Sequence, residues 1–368
     1  MKLRYKILGG IALLVAVAVL SLALAMSHTS ACGAAPPLPA GTPLMKGIVR
    51  RCYGSPEVVR YEDLPKPAPA DDEVLVRVRA ASVNPLDWHY LEGIPYMVRM
   101  DSGFGKPDNP RLGVDFAGTV EEVGKSVSHF KPGDEVFGGK FGALAEYVTV
   151  GERRAIALKP ANVSIEQAAA VPIAAVTALQ ALRDKGQLHA GQKVLINGAS
   201  GGVGTFAVEL AKSMGAEVTG VCSTRNVELV RSIGADHVID YTREDFTRGT
   251  QRYDLILDNV GTHSLLDYRH VLNPQGRYVM IGSTGFGKWF AWLVPPIEGK
   301  LLSPFVTQKF GMILAELNPQ DLTALAALMQ SGKLTPVIDH TYPLSKAAQA
   351  LSYLERGHAR GKVVLSVQ

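Results

Sequence analysis

Cysteine is scarce in this chain of 368 residues: only Cys32, Cys52 and Cys222 occur, each isolated in sequence. An odd count without close spacing gives neither a disulfide framework nor a zinc knuckle. An excess of one charge is also lacking. The 38 basic residues are offset by 34 acidic ones, a formal net charge of +4, and no basic stripe is interleaved with aromatics, so nucleic acid is not an expected partner. With 47% hydrophobic and 20% charged residues, the chain is an ordinary globular protein, long enough for two domains and ordered beyond roughly its first fifty residues.

Long uncharged apolar runs are absent with one exception near the N-terminus. Lys2, Arg4 and Lys6 precede a stretch without charge from Ile7 to Met26, and SHTSACGAAPPLPAGTP follows it. The stretch has no polar face of the kind a buried core helix carries, so residues 1–45 read as a signal peptide or membrane anchor with a linker. Thr29-Ser30-Ala31-Cys32 resembles a bacterial lipoprotein cleavage box, although threonine stands where leucine is usual; lipidation of Cys32 is an alternative. Pro36, Pro37, Pro39 and Pro43 make the linker stiff and extended.

The most informative segment is KVLINGASGGVGTFAVELAK, Lys193 to Lys212. Val194, Leu195 and Ile196 form a buried strand, and Phe206, Ala207, Leu210 and Ala211 form the inner face of a helix. Between them lies the glycine turn of a dinucleotide-binding fingerprint, reading A-x-G-x-x-G from Ala199. Ala199, Ser200, Gly201, Gly202, Val203 and Gly204 are the residues expected to cradle a pyrophosphate on free backbone N–H groups at the positive end of the helix. A second strand, Glu217 to Cys222, completes the βαβ unit.

The tip of that second strand separates NAD from NADP, because the first needs a carboxylate for ribose hydroxyls and the second needs room and positive charge. The chain reads Cys222-Ser223-Thr224-Arg225-Asn226 there, with no acid. Ser223, Thr224 and Arg225 are therefore expected to hold a 2′-phosphate, and NADPH is the expected cofactor. The same residues also suit the cap of the next helix, Val227 to Ile233.

Short β runs and turns fill the chain up to about residue 170, among them a strand from Glu73 to Ala80 and another from Gly118 to Val123. Helices then alternate with apolar strands: a helix from Ile165 to Arg183, and strands Val194 to Asn197, Val218 to Cys222, His237 to Asp240, Leu255 to Asp258 and Arg277 to Ile281. A helix over residues 320–330, a strand from Thr335 to Tyr342, a helix from Ser345 to Arg356 and a strand from Lys362 to Val367 follow. The pattern predicts an α/β protein: a β-rich, barrel-like catalytic domain over 46–170, a doubly wound parallel sheet over 171–315, and a return to the first domain over 316–368.

Several separate motifs carry a family resemblance. AASVNPLDWH (Ala80 to His89), LGVDFAGTVEEVG (Leu112 to Gly124), FKPGDEVFG (Phe130 to Gly138), SIGADHVIDY (Ser232 to Tyr241), DNVG (Asp258 to Gly261) and ARGKVVL (Ala359 to Leu365) stand in order around the glycine turn. From Met45 onward the chain resembles the medium-chain dehydrogenase/reductase superfamily, in its zinc-free quinone oxidoreductase branch. That implies a GroES-like catalytic domain beside a Rossmann domain. Where the zinc-dependent branch places its metal ligands, this chain has Asn84, Val114 and Ile173, a set unable to build a tetrahedral zinc site; no metal is expected.

Without a Lewis acid, hydride transfer from NADPH suits a quinone or an α,β-unsaturated carbonyl, whose developing charge is delocalised. The resemblance places Asn84 and Asp87 beside the nicotinamide and Thr177 near it. Asn84 is expected to donate an N–H to the carbonyl oxygen, and Asp87 to orient its neighbours, since an ordinary carboxylic acid is deprotonated at neutral pH. His89, Tyr96 and Tyr53 are candidate proton donors, with solvent as the alternative. Tyr241 is placed on the adenine side, and Asn259, Gly261, Gly282 and Lys362 along the cofactor, Lys362 being equally readable as a surface charge. The alternatives are an NAD(P)-dependent alcohol or aldehyde dehydrogenase and a catalytically idle NADPH sensor.

A homodimer is expected. The apolar run Phe286 to Phe305 reads as a dimer contact or core lid, or as a membrane contact through Trp289, Phe290 and Trp292. Localisation stays open between three routes. The basic N-terminus predicts export, a reversed topology would leave the enzyme on the cytoplasmic face where NADPH is found, and translation from Met45 would remove the segment.

Overall fold

Helix α1 (Lys2–Ser27) opens the chain. The computed structural model describes residues 2–38, 40–282, 287–289 and 293–368, with the side chains of 2–4, 6–9 and 12 outside that description. Leu13, Leu14, Val17, Leu20 and Leu24 of α1 are exposed. Among the described residues no helix is long and apolar enough to cross a membrane, and a spanning segment is not shown.

The end of α1 is docked against the rest of the protein. Met26 is buried, and Arg99 Nη1 donates to Met26 O at 3.0 Å and to His28 O at 2.6 Å. Ser30 N–H donates to Gly105 O at 2.8 Å, and Cys32 is disulfide-bonded to Cys52. The sequence reading expected no disulfide. A separation of 20 residues carries no local signal, and the two thiols meet only because the strap after α1 runs along the catalytic domain.

A ribbon of β1 (Leu44–Val49) and β2 (Arg60–Pro65) follows. The catalytic domain then contributes β3 (Glu73–Val83), helix α2 (Pro85–Glu92), the single turn α3 (Arg99–Ser102), β4 (Asp115–Val123), β5 (Glu135–Gly139), β6 (Tyr147–Gly151) and β7 (Ile156–Leu158). β3 reaches three residues past its expected end, because Ala81 and Val83 keep the inward alternation. The helix expected over Ile165 to Arg183 is instead two, α4 (Ile165–Ala169) and α5 (Pro172–Gln180), ending in a π-turn over Ala181–Lys185. Pro172 explains the break: it has no N–H to donate and its ring excludes the carbonyl four residues back, so it begins a helix rather than continuing one.

The parallel sheet comes next, from β8 (Lys193–Asn197), β9 (Glu217–Cys222), β10 (His237–Asp240), β11 (Tyr253–Asp258), β12 (Leu272–Met280) and β13 (Lys309–Met312), with α6 (Gly202–Ser213) after β8 and α7 (Val227–Ser232) after β9. Its spatial order, β10-β9-β8-β11-β12-β13, is that of a Rossmann sheet. The central strands β8 and β11 are buried on both faces, as crossovers on both sides require. The final strands β14 (Ile338–Pro343) and β15 (Lys362–Ser366) return to the first sheet, giving the order β14-β15-β3-β4-β5-β7 with β6 also on β3. One core joins the sheets through α4 and α5, with Ala80 and Ala117 on one side and Val194, Ile196 and Phe206 on the other. The glycine turn after β8 meets the start of β15 along that seam.

Candidate active site

The nucleotide turn is shaped by close backbone approach. Gly198 turns the chain out of β8 at φ +76°, and a Cβ on Gly204 would lie 2.1 Å from Gly198 O. Only glycine fits there. With Gly201 as N-cap of α6, the first-turn N–H groups of Gly202, Val203 and Gly204 have no acceptor within the helix and converge as an anion site. Ala199 is buried in the turn, and Ser200 O accepts from Gly361 N–H at 2.9 Å, which brings the last strand against it.

At the tip of β9 the expected residues divide. Ser223 accepts at its hydroxyl from Asn226 Nδ2 at 3.2 Å, and Arg225, exposed, donates through Nη2 to His358 O at 2.7 Å. Thr224 is turned away: its hydroxyl donates to Asp240 Oδ2 at 2.6 Å. The acid that the local sequence lacks thus arrives from the neighbouring strand, where Asp240 pairs in register with Cys222. Hydrogen bonds from Thr224 and Thr242 and the guanidinium of Arg243 hold its carboxyl below the usual range. Tyr241, beside it, is exposed.

A buried carboxylate shapes the opposite lip. Asp258 is fully buried and accepts from Asn197 Nδ2, Tyr278 Oη and the N–H groups of Val260 and Gly261 at 2.8–3.1 Å. Gly261 is thereby fixed at φ +69°. Asn259 donates to Asn197 O at 2.8 Å, and a Cβ on Gly282 would approach Asn259 O to 2.9 Å.

Across the cleft, Lys362 is 3% exposed, not a surface charge. Its stem passes Gly202, whose added Cβ would lie 3.3 Å from Lys362 Cδ. Its ammonium donates to Asn84 Oδ1 and, at 3.3 Å, to Val83 O, and lies 3.5 Å from Asp115 Oδ2. Burial lowers its pKa against the pull of Asp115 and Asp87. Asn84 Nδ2 donates to Asp115 Oδ2 at 2.9 Å; Ser82 Oγ donates to the same oxygen at 2.9 Å and Ile173 N–H to Oδ1 at 3.0 Å. An ammonium only donates and a carboxylate only accepts, so this arrangement fixes which way the Asn84 amide faces.

Asp87 accepts from Asn84 N–H at 2.8 Å at the start of α2. Burial outweighs that bond and pushes its carboxyl up to about 7. The expectation of an ordinary ionised acid is therefore corrected: desolvation penalises the charged form.

The remaining candidates are occupied elsewhere. His89 Nδ1 donates to Ile94 O at 2.8 Å, since a carbonyl only accepts, and burial lowers the imidazole's pKa; a neutral ring is a poor acid. Tyr53 Oη donates to Gly103 O at 2.7 Å, and Thr177 Oγ1 donates to Ile173 O of its own helix at 2.7 Å. Tyr96 packs edge-on against Trp289 at 4.7 Å between ring centres, with the Arg99 guanidinium over its face at 4.8 Å. Phe290 and Trp292 lie outside the described residues.

The groove fits a dinucleotide: a glycine turn that opens α6, the three first-turn N–H groups of that helix, and two buried acceptors without a protein partner, Asn226 Oδ1 and Asn259 Oδ1. Two family profiles match the chain, alcohol dehydrogenase GroES-like domain over residues 70–160 and zinc-binding dehydrogenase over 233–365. It is 37% identical over 324 residues to the trans-enoyl reductase pgmF of Aspergillus terreus, covering 80% of this chain and 86% of that protein. It is 35% identical over 342 residues to the chloroplastic NADPH-dependent alkenal/one oxidoreductase of Arabidopsis thaliana, covering 87% and 79%. The solved quinone oxidoreductase of Coxiella burnetii superposes with TM-score 0.76 at 30% identity, over 89% of this chain and all of that one.

The chain belongs to the zinc-free quinone oxidoreductase-like branch of the medium-chain dehydrogenase/reductase superfamily. This oxidoreductase departs from the name of one matching profile at the metal positions, since Val114 and Ile173 offer no ligating side chain and Asn84 is committed to Lys362 and Asp115. Among its described residues no cluster of three or more His, Cys, Asp or Glu is arranged to hold a metal ion. Sequence reasoning missed Asp115, Asp240 and Asn226 in the oxidoreductase's site. A lone carboxylate inside an apolar strand, as in GVDFAG, was the available signal for Asp115.

Proposed function

We propose that the protein is an NADPH-dependent reductase of quinones or α,β-unsaturated carbonyls that works without zinc. The observation that carries this reading is the buried Lys362–Asn84–Asp115 network, which supplies a fixed amide donor beside the nucleotide turn where the zinc-dependent relatives need a metal ligand. The N–H groups of Gly202, Val203 and Gly204 hold the pyrophosphate, Ser223, Arg225 and Tyr241 the adenosine end, and Asn259, Gly261 and Gly282 the nicotinamide side. When bound, the nicotinamide supplies a hydride for the electrophilic carbon of the acceptor.

Asn84 does the polar work of that step. One of its amide hydrogens is held by Asp115; the other is directed at the acceptor's oxygen, where the electron pair displaced by the hydride collects. Lys362 increases the polarisation of that amide by donating to its oxygen. The proton that completes the product comes from solvent or from Tyr96, since His89 is neutral and Tyr53 is engaged.

NADH is the second reading, favoured by Asp240 at the neighbouring strand tip. Its carboxylate is already saturated by Thr224, Thr242 and Arg243, so it leaves a phosphate room.

Outside the site, the N-terminal segment directs the protein to a membrane in one of two orientations, with the catalytic domain on the cytoplasmic face, where NADPH is found, or on the oxidising side. Lys2, Arg4 and Lys6 ahead of the apolar run favour the second orientation, and a cystine such as Cys32–Cys52 persists in oxidising compartments. Alkylation of thiols in intact cells decides between them: on the oxidising side Cys222 alone should be free, and two further reactive thiols would overturn that orientation. The chain forms a homodimer through β13, one of the two open edges of the parallel sheet, and light scattering of the full chain tests whether it is a dimer.

The function itself is tested by following NADPH oxidation by the full chain against quinones, enones, aldehydes and alcohols, with and without a chelator. Chelator-resistant turnover of quinones or enones is expected. Tight NADPH binding with no turnover on any acceptor would replace the reductase by a sensor.

A further inference from the structure

We propose that Asn226 is a positioning residue for cofactor choice: its carboxamide turns the hydroxyls of Ser200 and Ser223 into donors for the phosphate oxygens of a 2′-phosphorylated dinucleotide. The inference rests on the NADPH reading above and deepens it. Asn226 ends the single turn Thr224–Asn226 immediately before α7, where an asparagine side chain ordinarily caps the helix. It makes no such cap. Instead the side chain, 5% exposed, turns inward, and Nδ2 donates to Ser200 Oγ at 2.9 Å and to Ser223 Oγ at 3.2 Å.

Two consequences follow from hydrogen-bond inventory alone. A carboxamide nitrogen has two hydrogens and accepts nothing, so each serine oxygen is an acceptor here and its own hydrogen is left to donate elsewhere. The opposite amide orientation would bury two unpaired N–H groups in place of one unpaired oxygen, and orphaned buried donors are the rarer defect. Asn226 thus ties the pyrophosphate turn to the tip of β9 and sets both hydroxyls the same way.

That setting discriminates between cofactors. A ribose 2′-hydroxyl can give or take a hydrogen, whereas a 2′-phosphate only takes, so a hydroxyl biased to donate favours the phosphate. Thr224 cannot serve, because its hydrogen goes to Asp240. Ser223 is left as the hydroxyl donor at the strand tip.

The test is calorimetric binding of 2′,5′-ADP and 5′-AMP to the full chain, wild type and Asn226→Leu, Asn226→Asp, Ser223→Ala and the Ser223→Ala/Asn226→Leu pair. Wild type should prefer 2′,5′-ADP. Asn226→Asp, whose carboxylate captures both serine hydrogens, and Asn226→Leu should each lose about tenfold of that preference. A general packing role would weaken both probes equally. The pair should lose no more preference than Ser223→Ala alone, because Asn226 acts on a 2′-phosphate at the strand tip through the Ser223 hydroxyl.

A wild type that does not distinguish the probes would overturn the NADPH reading together with this one. A wild type that does, with Asn226→Leu and Asn226→Asp retaining the preference, would overturn the role of Asn226 and leave NADPH standing. Should neither Asn226 variant fold, Ser223→Ala decides: an unchanged preference refutes the donor assignment.

Discussion

Removing the ammonium of Lys362 with Lys362→Met should destabilise the catalytic domain and slow hydride transfer separately, and the two effects can be pulled apart. Lys362 is 3% exposed and Asp115 fully buried, 3.5 Å from it. Deleting one member of such a pair leaves an uncompensated buried charge, a loss of about 3–5 kcal/mol. Asp115 keeps its bonds from Ser82, Asn84 and Ile173, which places the expected loss near 3 kcal/mol, the lower end. Asp115→Asn alone strands the ammonium instead. The double variant Lys362→Met/Asp115→Asn has no buried charge at this point, so it should be more stable than the sum of the single losses predicts by at least about 1 kcal/mol. Urea unfolding of all four proteins under non-reducing conditions measures the cycle. Hydride transfer should stay depressed about tenfold or more in the double variant, because the Asn84 amide is no longer held between a donor and an acceptor. Additive losses, with coupling below about 0.5 kcal/mol, would refute the ion pair as the organiser of the site.

Three further outcomes follow from the geometry. Asp87 has its carboxyl pushed up to about 7 from 3.8, so between those values the folded state binds more protons than the unfolded one and stability falls as pH rises. Asp87→Asn should remove that slope, at most about 3 kcal/mol between about pH 5 and pH 8, measured by urea unfolding at the two pH values; equal slopes in both proteins would refute the shift. Gly204→Ala places a Cβ 2.1 Å from Gly198 O and should displace the start of α6, with loss of NADPH binding by fluorescence titration. Arg99→Met leaves the carbonyls of Met26, His28, Glu92 and Gly93 without their shared donor; about 3 kcal/mol of stability and protection of the strap from proteolysis should go together.

Local pattern carried most of the parallel sheet. The apolar runs of β8 and β11 and the glycine turn are legible because burial on both faces and close backbone approach each impose their own residue types. Pro172 was equally legible as a break and was read through. What pattern could not carry is pairing. Asp240 joins the β9 tip because β10 lies beside β9 in parallel register; the strand–helix–strand pattern announces the neighbouring strands but not which residue stands opposite Cys222. Cys32 finds Cys52 only through the path of the strap. Asn84, Asp87 and Lys362 were named as site residues, but whether a lysine before a strand points to solvent or into a network is decided by the neighbouring strand β3, whose Val83 pairs with Val363.

Arg99 has a mechanical meaning apart from its hydrogen bonds. One planar fork grips the last carbonyls of α1 and those at the end of α2, the helix whose start carries Asn84 and Asp87. A chain joined only through a proline-rich leader would swing like a float on a line. Here the end of α1 is bolted on, so α1 and the helix that begins beside Asn84 keep one heading relative to each other.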